Sequence, residues 1–239
     1  FGKSISLWLA GFFKAESTGL DMPDYFSENH PIAIVYATTA GPEYLHRALA
    51  RALDDENAYV ACGLVQAVEK TAGEQSLMYR VGTSQPLIRA LSYEDKAVRQ
   101  NAAIALAAAG PTEDFPETRF VIENLEEILS EPAQADANKT QLVNYKPEDS
   151  YAVRAAEALL YLAVTRNQVL NVEDAKDTLI DVLKNDQRPQ IRILAGKILA
   201  HIDSPDAQRA IAKTAVNSDN SMSIRLAAFD ALTTSAQLN

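Results

Sequence analysis

The sequence predicts an all-α protein built from repeated helical hairpins, and three observations carry that prediction. Alanine, the strongest helix former, makes up about one residue in six of the 239, while glycine accounts for only nine. Apolar residues recur three, four and seven places apart, which is the spacing of one helix face. A Val-Arg or Ile-Arg pair also returns along the chain, as expected for a repeat architecture.

The repeat is anchored by a β-branched residue near the start of the second helix of each hairpin. The five anchors are Val60, Val98, Val153, Ile191 and Ile224. Arginine follows the anchor in four of the five units, and Ala61 takes its place in the first. The anchors are separated by 38, 55, 38 and 33 residues.

An amphipathic helix is predicted before each anchor. "PEYLHRALARAL" (42–53) places Leu45, Leu49 and Leu53 on one face, and "VEDAKDTLIDVL" (172–183) has the same pattern. The segments between the two helices, such as "DDENAY" and "KNDQRPQ", consist of turn-forming and capping residues. Each unit therefore reads helix, acidic turn, helix.

The interval of 55 residues has a local cause. About seventeen extra residues, "EPAQADANKTQLVNYKP" (131–147), lie in the turn of the third unit. The composition of the first half of this inserted loop favours disorder. The second half contains Leu142, Val143 and Tyr145, which are predicted to dock onto the repeat surface or onto a partner.

The five anchors in register resemble HEAT repeats, and most closely the short bacterial type also found in bilin lyases. The match covers residues 42–232. The resemblance implies a right-handed α-solenoid of five to six hairpins, which gives one continuous domain over 42–239. It also implies a structural ladder between units, in which the acids are Asp95, Asp149, Asp186 and Asp219 and the arginines are Arg99, Arg154, Arg192 and Arg225.

Both ends of the repeat array require a cover. Residues 1–41 form a degenerate capping repeat in this prediction, because Trp8, Phe12 and other large apolar residues cluster there at helical spacing. At the other end, three alternatives stay open. The array continues beyond residue 239, its last face self-associates, or its last helix is polar enough to face water.

Composition and motifs exclude several kinds of site. The histidines His30, His46 and His201 lie in different units without neighbouring ligands, and Cys62 is the only cysteine, so no metal, cofactor or disulfide is predicted. A net charge of −10 argues against nucleic acid as a partner.

No apolar stretch is long enough to span a membrane. The compartment stays open between the cytoplasm and, after removal of an upstream signal, the periplasm.

We therefore expect a non-catalytic scaffold that binds a protein or peptide through the concave helix face or the inserted loop. Positions two, six and nine after each anchor are predicted to line that face. The binding residues selected there are Gln66, Gln100, Ile104, Leu159, Leu162, Ile193, Lys197 and Asp230. In the alternative interpretation, the apolar members of this set close the core.

Two other functions are alternatives to the scaffold. A tetrapyrrole-binding lyase would need a pigment-sized pocket with a dedicated acid, or a cysteine beside a histidine, and no such constellation is visible in the sequence. A nucleic-acid-binding repeat protein would need a basic groove, which the acidic composition disfavours.

Overall fold

The computed structural model describes residues 40–71, 73–133 and 150–238, and these residues are mainly helical. No strand forms within these ranges, so the all-α prediction is confirmed for this part of the chain. The predicted capping repeat lies outside the described residues except for its last two positions. The inserted loop lies outside them beyond residue 133, and so do its three docking candidates Leu142, Val143 and Tyr145.

The described helices belong to two compact units, one ending at Ala109 and the other beginning at Gly110. The helices of the first unit are α1 (Pro42–Asp54), α2 (Ala58–Glu69), α3 (Glu74–Leu77), α4 (Pro86–Ala90) and α5 (Lys96–Ala109). Those of the second are α6 (Arg119–Ser130), α7 (Tyr151–Thr165), α8 (Lys176–Asn185), α9 (Pro189–Leu199), α10 (Pro205–Val216) and α11 (Met222–Leu238).

Capping residues explain where several of these helices begin. The side chain of Asn57 accepts a hydrogen bond from the Val60 amide at 3.1 Å, and Ser150 caps α7 in the same way through the Val153 amide at 3.2 Å. Proline at the first helical position starts α1, α9 and α10, where its missing N–H would have no helical partner.

In the first unit, α1 packs on α2, and α2 packs on α5. The first helix of the second predicted hairpin is interrupted, because α3 and α4 are separated by a tight turn. Val81 and Ser84 pair across this turn, with Gly82 between them at a φ of 61°. The helix–turn–helix prediction is therefore only partly correct for this hairpin.

In the second unit, helices α8 and α9 form one hairpin and α10 and α11 form the next. The first helices α6, α8 and α10 contact one another in order, and so do the second helices α7, α9 and α11. The helix predicted at 172–183 begins instead with a 3-10 turn, Val172–Ala175, before α8. This unit thus holds α11 against both α9 and α10.

The anchor residues test the predicted register. Val98, Val153, Ile191 and Ile224 are all buried, as the repeat requires. Val60 is only half-buried, and Ala61 beside it is fully buried. The first anchor is therefore less buried than the other four, although it holds the same third position in its helix and its amide is capped by Asn57 as the Val153 amide is by Ser150.

Candidate interaction surface

Four of the eight binding residues predicted from the sequence are buried. Gln100, Ile104, Leu159 and Leu162 are each at most 2% exposed. They lie on α5 and α7, which are alanine-rich helices buried around most of their circumference. Because their alanine side chains are short, other elements pack closely against these helices on several sides. A side chain that points away from one neighbouring helix therefore contacts another. The alternative, in which the apolar side chains of the set close the core, agrees with the burial of Ile104, Leu159 and Leu162.

The other predicted binding residues have some contact with solvent. Gln66 and Ile193 are half-buried, while Lys197 on α9 and Asp230 on α11 are exposed. Asp230 lies beside exposed apolar side chains of its own helix, which are described below.

The described contacts of Arg192 and Arg225 are not with the acids predicted for the ladder. Arg192 donates through Nε to the Leu183 carbonyl at 2.8 Å and through Nη2 to Asn220 Oδ1 at 2.7 Å. Arg225 donates through Nε to the Ala215 carbonyl at 3.1 Å. Both arginines therefore satisfy carbonyls at the end of the preceding helix, where intrahelical donors are missing and a cation is favourable.

The predicted acids have other roles. Asp186 forms a largely buried ion pair with Arg188 (Oδ2 to Nη2, 2.6 Å) and also accepts from the Arg188 amide. Asp95 caps α5 by accepting from the amides of Ala97 and Val98. These carboxylates bind amides and a nearby arginine because they lie at helix starts, where donors are concentrated.

Contacts or exposure are described for three further residues of the predicted ladder. Asp219 is exposed in the turn before α11. The Arg99 guanidinium donates to the Glu94 carbonyl at 3.0 Å, and that of Arg154 lies 5.9 Å from the centre of the Tyr151 ring. Asp149 lies outside the described residues.

The outer face of α11 carries a stripe of exposed apolar side chains. Met222, Leu226 and Phe229 are 64%, 56% and 47% exposed. Their spacing of four and three residues places them on one side of the helix. We call these three residues the α11 stripe. Arg225 and Asp230 border it on opposite sides.

The fold positions the stripe through the opposite face of the same helix. Ile224, Ala228, Ala231 and Ser235 are buried. Because buried and exposed faces alternate with the 3.6-residue period, burial of these four turns the α11 stripe away from the unit. The stripe is therefore held on a packed helix rather than on a loop.

A signal in the sequence could have identified Phe229. The position five residues after the anchor holds Ala103, Ala158 and Gly196 in the three preceding units, and all three are buried. In the last unit the same position holds the large, exposed Phe229. Leu226 and Asp230 lie two and six places after the anchor and so belong to the predicted face, whereas Phe229 lies at a position that was not predicted to line it.

The second unit also contains a polar depression between the ends of α7 and α9. Arg166, Asn167, Glu173, His201 and Asp203 contribute to its lining. Burial, and secondarily the charge of Arg166, lower the pKa of His201. The lining of the depression includes no serine, threonine, cysteine or lysine side chain as a covalent nucleophile. These side chains can make polar contacts, and nothing in the lining selects a reaction.

Comparison with protein-family models gives no match, and neither does a search of curated proteins. In the described ranges, no group of three or more histidine, cysteine, aspartate or glutamate side chains could hold a metal ion. None of the helices there combines the length and the apolar content needed to cross a bilayer.

Proposed function

We propose that this protein is a non-catalytic interaction module that binds a protein or peptide partner through the α11 stripe. The observation that carries the proposal is the alignment of three large, exposed apolar side chains on one helix face. Single exposed apolar residues are ordinary on protein surfaces, whereas adjacent ones mark interaction sites. An amphipathic helix is the complement that such a face accommodates best.

The repeat pattern supports the scaffold part of this proposal. We propose that the hairpins form a HEAT-like right-handed solenoid, as the resemblance implies. The order of contacts among α6 to α11 in the second unit is compatible with such an arrangement. In this proposal the repeats supply rigidity, and the binding surface is the outer face of α11.

The test compares two glutamate substitutions at apolar positions of equal exposure. Leu226 lies in the stripe and Val164 lies on α7, and both are 56% exposed. Leu226→Glu is expected to abolish the capture of a partner from a lysate of the source cell, while Val164→Glu leaves it unchanged. Circular dichroism of both variants checks that they fold. A partner captured equally by both variants would refute the proposal.

A further inference from the structure

We infer that the α11 stripe binds a second copy of this chain, with the two α11 helices side by side and parallel. This inference rests on the proposed function, because it assigns a partner to the same surface. Four features of α11 support it. They are the spacing of its exposed apolar residues, the charged residues on either side of the α11 stripe, the terminal nitrogens of Arg225, and the size of the exposed side chains.

The apolar spacing fits the seam of a two-stranded coiled coil. Leu226 and Phe229 occupy the a and d positions of a heptad, and Met222 occupies the preceding d position. Thr233 follows at the next a position and is exposed. The residues that hold α11 in its unit fall at c and f, so packing within the unit leaves the seam accessible.

The charges bordering the seam complement each other across a parallel pair. Arg225 lies at g and Asp230 at e, five residues later. In a parallel two-stranded coiled coil, g of one helix faces e of the other at this offset. Arg225 of each copy would therefore meet Asp230 of the other, giving two ion pairs. In an antiparallel pair g positions face g positions and e positions face e positions, so Arg225 of one copy would not meet Asp230 of the other.

Arg225 has two terminal nitrogens that the described residues of its own unit do not use. In the preceding hairpin Arg192 is fixed through Nε to a helix-end carbonyl and extends Nη2 to Asn220, which lies before the next helix. Arg225 makes the equivalent Nε bond to the Ala215 carbonyl. Among the described residues its terminal nitrogens have no acceptor and the Asp230 carboxylate has no donor. A second copy supplies both.

The partner is therefore a copy of the same helix and not another hairpin of the same type. The preceding units have Ala103, Ala158 and Gly196 where α11 has Phe229, so the stripe differs from the surfaces already used inside the array. The net charge of −10 opposes self-association in general. The seam itself is neutral, with one positive and one negative border residue. Because only three large apolar residues per copy take part, we expect a weak dimer with a Kd of about 10 µM or higher.

Sedimentation equilibrium of the full 239-residue chain tests the inference, at concentrations from about 1 to about 500 µM. The expected result is a shift from monomer to dimer that Leu226→Glu abolishes and Val164→Glu leaves intact. Asp230→Arg is expected to weaken the dimer at least fivefold, because the new arginine of each copy would face Arg225 of the other. Asp219→Arg makes the same charge change at an exposed position outside the seam and is expected to have no effect.

Orientation is tested by a disulfide at Thr233, with Cys62→Ser to remove the native thiol. In a parallel pair the two Thr233→Cys thiols meet at one a position and are expected to cross-link on mild oxidation. A dimer that does not cross-link, or that survives Leu226→Glu, overturns the inference. A chain that stays monomeric at every concentration, yet captures a partner through Leu226, also overturns it and leaves the proposed function standing. Dimerisation through Leu226 without capture of any other protein supports self-association as the whole of the interaction.

Discussion

Among the described residues of the first unit, His46 is the titratable residue with a buried side chain. It is fully buried, its Nε2 lies 2.6 Å from the Ser76 carbonyl, and its Nδ1 has no partner. Nε2 must therefore carry the proton and donate to Ser76 in the neutral ring. Burial lowers the pKa of His46, and the Ser76 hydrogen bond opposes that effect only in part.

This environment predicts a loss of stability in mild acid. Because the pKa of His46 is lower in the folded state than its ordinary value of about 6.5, the unfolded chain binds more protons as the pH falls through that value. The urea midpoint is expected to decrease between about pH 7.5 and about pH 5.5. His46→Gln keeps a donor for Ser76 and should reduce this decrease. The more exposed His201, changed to Gln, is the control and should reduce it less; an equal pH dependence in wild type and His46→Gln would contradict the assignment.

The ion pair between Asp186 and Arg188 is predicted to matter more than the surface pairs. Their side chains are only 9% and 16% exposed. Asp186→Ala removes a carboxylate from a largely buried guanidinium, which keeps its hydrogen bonds to the Leu129 and Glu131 carbonyls. The expected loss is about 3 kcal/mol in the free energy of unfolding. Asp206→Ala removes the carboxylate of an exposed pair with Arg209 and should cost less than about 1 kcal/mol. Urea denaturation distinguishes the two, and equal losses would show that burial does not control the difference.

At the scale of the helices, replacing glycine by alanine is expected to have opposite effects on stability at two positions. Gly196 lies inside α9, and an added Cβ would meet Leu183 Cδ1 at an ordinary contact distance of 3.5 Å. Gly196→Ala should stabilise the protein by about 0.5–1 kcal/mol through helix propensity. Gly110 has a φ of 60°, and an added Cβ would lie 2.6 Å from Tyr161 Cε1. Gly110→Ala should therefore destabilise it by about 1–2 kcal/mol. Thermal denaturation measures both, and a shift of the same sign for the two would contradict this account.

Close packing between paired helices predicts a cost for enlarging an alanine at their contact. Ala195 is 1% exposed on α9, which packs against α7, α8 and α11. Ala195→Leu is expected to lower stability by about 1–3 kcal/mol through overpacking. Ala212→Leu, at a half-buried position of α10, is the matched control and should cost less. An unchanged melting midpoint for Ala195→Leu would show that this contact has room for a larger side chain.

At the scale of the whole molecule, net charge controls which partners are attracted. With 32 acidic and 22 basic residues, the chain should repel a phosphate backbone. Fluorescence anisotropy with a labelled DNA duplex is expected to show no binding at about 0.15 M salt. A salt-dependent increase in anisotropy at micromolar protein would revive the nucleic-acid alternative and would require a local basic patch.

The fold could be predicted from the sequence more fully than the binding surface, because the two depend on different sequence signals. Buried anchors and helix caps repeat along the chain, so Val98, Val153, Ile191 and Ile224 could be assigned from spacing alone. The binding surface depends on which helix faces lack neighbours, and a pattern within one helix does not contain that information. For this reason Ile104 and Leu159 were assigned to a groove and prove to be core, while Phe229 was missed.

The sequence by itself determined the helical class, four of the five anchors and the positions of most hairpin turns. These depend on local propensity and on apolar periodicity, which act within about twenty residues. Only the tertiary structure decided that α5 and α7 are buried around most of their circumference, that Arg192 binds Asn220 and not Asp186, and that the α11 stripe is exposed. Each of these depends on elements far apart in the chain meeting in space, and burial is a property of the assembled unit.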